Sequence, residues 1–195
     1  MARVEPLQRE DLAEFEPVFA LVEQGMGFVP SSMLTMARNP ALLRAFAGLA
    51  GTVLGPGRIE PPLKSLISHV ASRAAGCVYC QAHTGHTAHR AGASKEKIAA
   101  AFEYETSPLF DARERAALRL GHLAALVPNA AEDGHFEALR EHFDEEEILE
   151  IVSVIALFGY LNRWNDTLAT RLEKPAREFA QDSLRPIGWA LGKHG

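Results

Sequence analysis

Cys77 and Cys80 are the only thiols in 195 residues, and they stand three apart within HVASRAAGCVYCQAHTGHTAHRAG, residues 69–92. On a helix that spacing sets both sulfurs on one face, one turn apart, with His83 a further turn on. Such a pair can close a disulfide with little backbone movement, and the imidazole can take a proton from Cys80. Only the thiolate attacks, and an unperturbed thiol with a pKa of about 8.5 is mostly protonated at neutral pH. A helix N-terminus or a neighbouring His lowers that value, but nucleophilicity falls with it. Positioning and proton delivery must therefore supply most of any acceleration. Physics alone leaves the attacking sulfur open: the helix dipole favours Cys77, and the general-base argument favours Cys80.

The same residues admit other chemistries. C-x2-C-x2-H, with His86 and His89 beyond it, offers ligands for Zn2+. Ligands one turn apart along a single helix cannot all converge on one ion, however, and no second cysteine pair exists. A c-type haem needs His directly after the second cysteine, where Gln81 stands. Two inert buried thiols are the plain alternative. His86 and His89 read as solvated or packed helix residues, and Tyr79 as a packing residue whose hydroxyl could line a pocket. Asn162, Arg163, Asn165 and Asp166 read as a helix end.

The elements that must position these groups are helical. Hydrophobic content of 47%, charged content of 23% and a net charge of −5 exclude disorder and argue against nucleic acid or an anionic membrane as partner. Two cysteines cannot make a secreted disulfide framework. MARVEPLQRE lacks the apolar region of a signal peptide, and Ile148 to Leu161 is too short to span a bilayer. The expectation is a cytoplasmic protein, a setting in which C-x-x-C reads as redox-active or metal-binding.

Punctuation along the chain predicts an all-α bundle of about eight helices. Asp11 opens LAEFEPVFALVEQ, in which Pro17 forces a break or a fresh first turn and which Gly25 closes; Pro40 and Pro61 sit where a first helical turn tolerates them. Leu63, Leu66, Ile67, Val70, Ala71 and Ala74 keep a helical period, and Gly76 can end that helix in a left-handed turn just before Cys77. Ser94, Asp111 with Glu114, Asp133, and Asp144 with Glu147 read as further helix starts. The last of these opens the longest helix, carried on to Leu172, whose apolar middle places it at the centre of the core. No stretch alternates as a strand would. One domain over 1–195 is expected, with 1–58 as a possible helical arm and 61–175 as the core carrying the cysteines.

The segment GCVYCQAH at 76–83 resembles the carboxymuconolactone decarboxylase-like superfamily, in its alkylhydroperoxidase D-like branch. SPLFDARERAAL at 107–118 and LNRWNDTLATRLE at 161–173 are similar to later helices of its peroxidase-related members. The resemblance implies an all-helical fold, homo-oligomers such as dimers or hexamers, and thiol-dependent reduction of a hydroperoxide without haem, flavin or other cofactor. It implies that Cys80 attacks and becomes a sulfenic acid, that Cys77 condenses with it to a disulfide, and that a lipoyl-type or thioredoxin-like dithiol reduces the pair. The sequence departs from that pattern twice. The family histidine falls on Thr84, leaving His83 one place early, and the upstream glutamate falls on Ser65. His69, one turn along from Ser65, is the candidate substitute. Cofactor-free decarboxylase chemistry of the same superfamily is disfavoured, because it does not depend on a C-x-x-C pair.

Overall fold

The computed structural model describes residues 2–195, and among them there are ten α-helices and no strand. The helices are α1 (Glu16–Met26), α2 (Ser31–Met36), α3 (Pro40–Leu54), α4 (Pro61–Ala74), α5 (Val78–Arg90), α6 (Lys95–Ala99), α7 (Ala112–Ala124), α8 (Asp133–Arg140), α9 (Glu145–Leu168) and α10 (Lys174–Ser183). Local chemistry sets most of the boundaries. Pro17, Pro40 and Pro61 lie in first turns, where a missing N–H costs nothing. Capping boxes at Asp111–Glu114 and Asp144–Glu147 open α7 and α9, and the Ser94 hydroxyl accepts the Lys97 N–H at the start of α6. Some boundaries differ from expectation: Asp11 ends a 3-10 turn and α1 opens only at Glu16, α1 closes at Gly27 with φ 86, and Glu132 rather than Asp133 caps α8.

The enclosed helix is α4, not α9. Ten consecutive residues of α4, Leu63 to Ser72, are buried, and five of them are polar. By contrast α9 leaves Leu149 66% exposed and Tyr160 39% exposed, so its apolar middle has one open side. Hydropathy misleads here because α4 buries Lys64, Ser65, Ser68, His69 and Ser72; Lys64 and Ser68 find partners within the fold, whereas Ser72 Oγ and His69 Nε2 have none among the described residues. The Lys64 ammonium donates to the carbonyls of Val53 (3.2 Å) and Gly55 (2.8 Å) at the end of α3 and pairs with the Glu150 carboxylate. The Ser68 hydroxyl bonds back to the carbonyls of Lys64 and Ser65.

A smaller apolar cluster holds the N-terminal part, with Leu12, Phe15, Phe19, Met33, Met36 and Leu43 buried together and Leu161 and Trp164 of α9 at its margin. At the far end α9 stops at Leu168. Ala169 turns left-handed at φ 50, and α10 starts behind Glu173 with Pro175 in its first turn. The helix expected to run to Leu172 thus stops four residues early, and a separate helix follows it. No helix among the described residues is long and apolar enough to cross a membrane.

Candidate active site

The turn between α4 and α5 sets the two sulfurs. Gly76 adopts φ 75, the Gly76 N–H bonds the Arg73 carbonyl (2.9 Å), and the Cys77 N–H returns to the Ser72 carbonyl (3.0 Å). Cys77 then becomes the N-cap of α5, a place usually taken by Ser, Thr, Asp or Asn. Its Sγ accepts the Cys80 N–H at 3.3 Å, so the sulfur sits where the helix end favours negative charge. Cys80 lies one turn on, and both free thiols are buried. The Asn165 Nδ2, reaching over from α9, donates to the Cys80 Sγ at 3.6 Å, within reach for sulfur. Burial pushes the Cys80 thiol well above its ordinary range. Sharing its proton with Cys77 and that sulfur's charge push it further, while the Asn165 donor pulls the other way. Each sulfur therefore has its own N–H donor.

His83 is not hydrogen-bonded to either thiol. Its Nε2 meets the Glu173 carboxylate at 2.5 Å, and the same carboxylate accepts the Tyr79 hydroxyl (3.0 Å) and the Ser31 backbone N–H. Glu173 is the N-cap residue of α10, and the Tyr79 and His83 rings lie 4.2 Å apart between centroids on α5. The Phe28 ring meets the His83 edge-on at 5.1 Å, so the α1–α2 connection closes over this group. Burial would raise Glu173, but the attraction and hydrogen bond of His83, together with the Ser31 N–H, hold its carboxyl below the ordinary glutamate range. Burial, followed by the charge of Glu173, pushes Tyr79 well above its own range and keeps it a donor. A carboxylate that fixes an imidazole in this way sets its orientation.

Ser65 and His69 lie on α4 and touch neither sulfur through a hydrogen bond. Ser65 accepts the Ser68 hydroxyl through its carbonyl at 2.9 Å. His69 Nδ1 meets the Thr84 Oγ1 at 3.0 Å, and Thr84 in turn donates to the Cys80 carbonyl at 2.7 Å. Burial pushes His69 down to about 4, leaving it neutral at pH 7. The arrangement thus brings together Cys77, Cys80 and Asn165 in one group and His83, Tyr79 and Glu173 in another. His69 and Thr84 brace the backbone of α5 from below.

Two members were not legible as site residues. Glu173 stands ninety residues beyond His83, just past the expected end of the longest helix; Pro175 followed by Ala176, Phe179 and Ala180 is the signal for a new helix with Glu173 ahead of it. Asn165 was read as part of a helix end, yet it is 2% exposed and faces the thiol. His86 and His89 pack against Phe179. Among the described residues no three His, Cys, Asp or Glu side chains are grouped as a metal site.

The all-helical fold is similar to that of an alkylhydroperoxidase D-like protein. Residues 40–123 match the carboxymuconolactone decarboxylase family. The chain is 38% identical to the debrominase Bmp8 C82A in complex with 2,3,4-tribromopyrrole, with a TM-score of 0.87 over 92% of this chain and 96% of that one. It is 26% identical to an uncharacterised peroxidase-related protein from Ralstonia eutropha JMP134, an alkylhydroperoxidase AhpD core, with a TM-score of 0.77 over 91% of this chain and 94% of that one. Among curated proteins it is 27% identical over 110 residues to the uncharacterised YnjA of Escherichia coli (strain K12), a match that spans 56% of this chain and 60% of that relative. The chain belongs to the carboxymuconolactone decarboxylase family.

Proposed function

We propose that the chain is a dithiol peroxidase in which Cys80 attacks and Cys77 resolves. The observation that carries this reading is the pair itself: two free thiols one turn apart, each with an N–H donor. Loss of the Cys80 proton to solvent exposes a thiolate that Asn165 stabilises. The thiolate attacks the distal peroxide oxygen, the O–O bond breaks, and the departing alkoxide takes a proton from the His83–Glu173 pair. Cys80 is then a sulfenic acid. Cys77 displaces its hydroxyl as water, forming the S–S bond, and an external dithiol of lipoyl or thioredoxin-like type returns both electrons and both protons. The reacting protein is cytoplasmic and works as a homo-oligomer, dimer or hexamer, on a hydroperoxide.

Reductive dehalogenation is the second reading, favoured by the 38% identity to a debrominase over nearly the whole chain. The same thiolate would attack the halogen and the carbon would take a proton. The second thiol would then expel halide to give the same disulfide. Purified protein supplied with a dithiol and either tert-butyl hydroperoxide or a bromopyrrole separates them. Peroxide consumption that is lost in Cys80→Ser, with a sulfenic acid trapped on Cys80 in Cys77→Ser, supports the first reading. Bromide release without peroxide turnover replaces it with the second. A sulfenic acid trapped on Cys77 in Cys80→Ser reverses the two roles.

A further inference from the structure

A cavity of about 260 Å3 opens beside the C-x-x-C turn, and neither His83 nor Glu173 lines it. It lies between α4, α5 and the C-terminal segment, and neither cysteine lines it. The volume falls just under the roughly 300 Å3 at which ordinary ligand pockets begin, which limits any occupant to a small molecule.

Three features of its wall point to one chemistry. Arg73 has no carboxylate within salt-bridge distance and no hydrogen-bond acceptor among the described residues. Its guanidinium lies 3.9 Å over the Phe102 ring, an arrangement that holds the plane in place and leaves the N–H edge free. His69 supplies the complementary group. The one Thr84 hydroxyl hydrogen goes to the Cys80 carbonyl, so Thr84 must accept from His69 Nδ1–H. Nε2 is then an acceptor, and it is buried without a partner. The neutral state of His69, held down to about 4 by burial, agrees with that assignment. The remaining wall is apolar: Leu184 and the indole of Trp189, which is fixed by its Nε1 donating to the Val78 carbonyl at 2.9 Å.

We propose that this cavity binds a small organic carboxylate bearing a hydroxyl or N–H, with Arg73 taking the carboxylate, His69 Nε2 accepting the donor, and Trp189 and Leu184 holding the carbon frame. A guanidinium pairs with a carboxylate through two parallel N–H bonds, which selects an acid over the amide of the same shape. Buried polar groups left without partners are those a ligand or ordered water must satisfy. The site is independent of any thiol chemistry.

Trp189 reports on it directly. In a Trp164→Phe chain, whose remaining indole is Trp189, titration with 3-hydroxybenzoate should give a saturable change in emission. The neutral 3-hydroxybenzamide should bind about tenfold more weakly or worse. Arg73→Met, which keeps the stem over Phe102, should weaken the acid about tenfold and leave the amide unchanged, and Arg73→Lys should restore part of the loss. Equal binding of acid and amide, no saturable change with either, or undiminished acid binding in Arg73→Met would each overturn the proposal.

Discussion

Replacing Glu173 by Gln keeps the size of the side chain and removes its charge. The carboxylate accepts from the Tyr79 hydroxyl (3.0 Å), from His83 Nε2 and from the Ser31 N–H. The side chains of His83 and Glu173 are 9% and 12% exposed, so solvent screens their contact little. A hydrogen bond to a charged group contributes about 1.5–3 kcal/mol, and the amide NH2 cannot accept at all, so Glu173→Gln should lose ~2–3 kcal/mol. For a chain of this length that is a fall in Tm of about 4–12 °C. If all of it is felt in proton delivery, turnover falls about 30- to 150-fold. The sign with pH is fixed. Glu173 is held below its ordinary value of 4.5, so its contribution is fully present above that value and fades as pH falls through the lower folded one. Thermal unfolding followed by circular dichroism should therefore show a wide gap between wild type and Glu173→Gln at about pH 7 and a narrower one at about pH 3. An equal gap at both would refute the buried carboxylate–imidazole pair.

Other perturbations test other parts of the arrangement. Asn165→Ala removes the side-chain donor to Cys80 and should slow peroxide-driven disulfide formation about two- to tenfold, read by quenched-flow mass spectrometry; an unchanged rate would leave Asn165 without a role. His69, held down to about 4 against 6.5, binds fewer protons folded than unfolded. Stability should thus fall as pH drops from 6.5 towards 4, by up to about 3 kcal/mol, and urea titrations of His69→Gln should show that slope flattened. Gly85→Ala would bring a methyl to 3.0 Å from Phe179 and 3.4 Å from His69 and Leu184. That should push α10 off α5 and cost about 1–3 kcal/mol, with a matching fall in Tm.

Local chemistry made most of the fold legible. Prolines in first turns, capping boxes and the left-handed Gly76 act within a few residues, so their effect is written in the sequence around them. What the sequence hid was long-range. The place of α4 at the centre was masked by its polar residues, whose cost is met by partners such as the Val53 and Gly55 carbonyls ten residues back. The thiol pair was legible because its spacing is its mechanism. Its partners were not. Ser65 drew attention as a missing carboxylate, whereas the carboxylate beside His83 comes from Glu173, at the cap of a helix that proline and three apolar residues announce only weakly. Asn165 is one polar residue among several near the end of α9, and only packing shows that it faces Cys80.

Intact mass of the reduced protein before and after one equivalent of hydroperoxide tests the central claim most directly. A dithiol that closes on itself loses two hydrogens and gains no oxygen, and both thiols disappear from titration together until a dithiol is added. Retention of both titratable thiols at unchanged mass, or accumulation of an oxygen adduct with no disulfide, would contradict it.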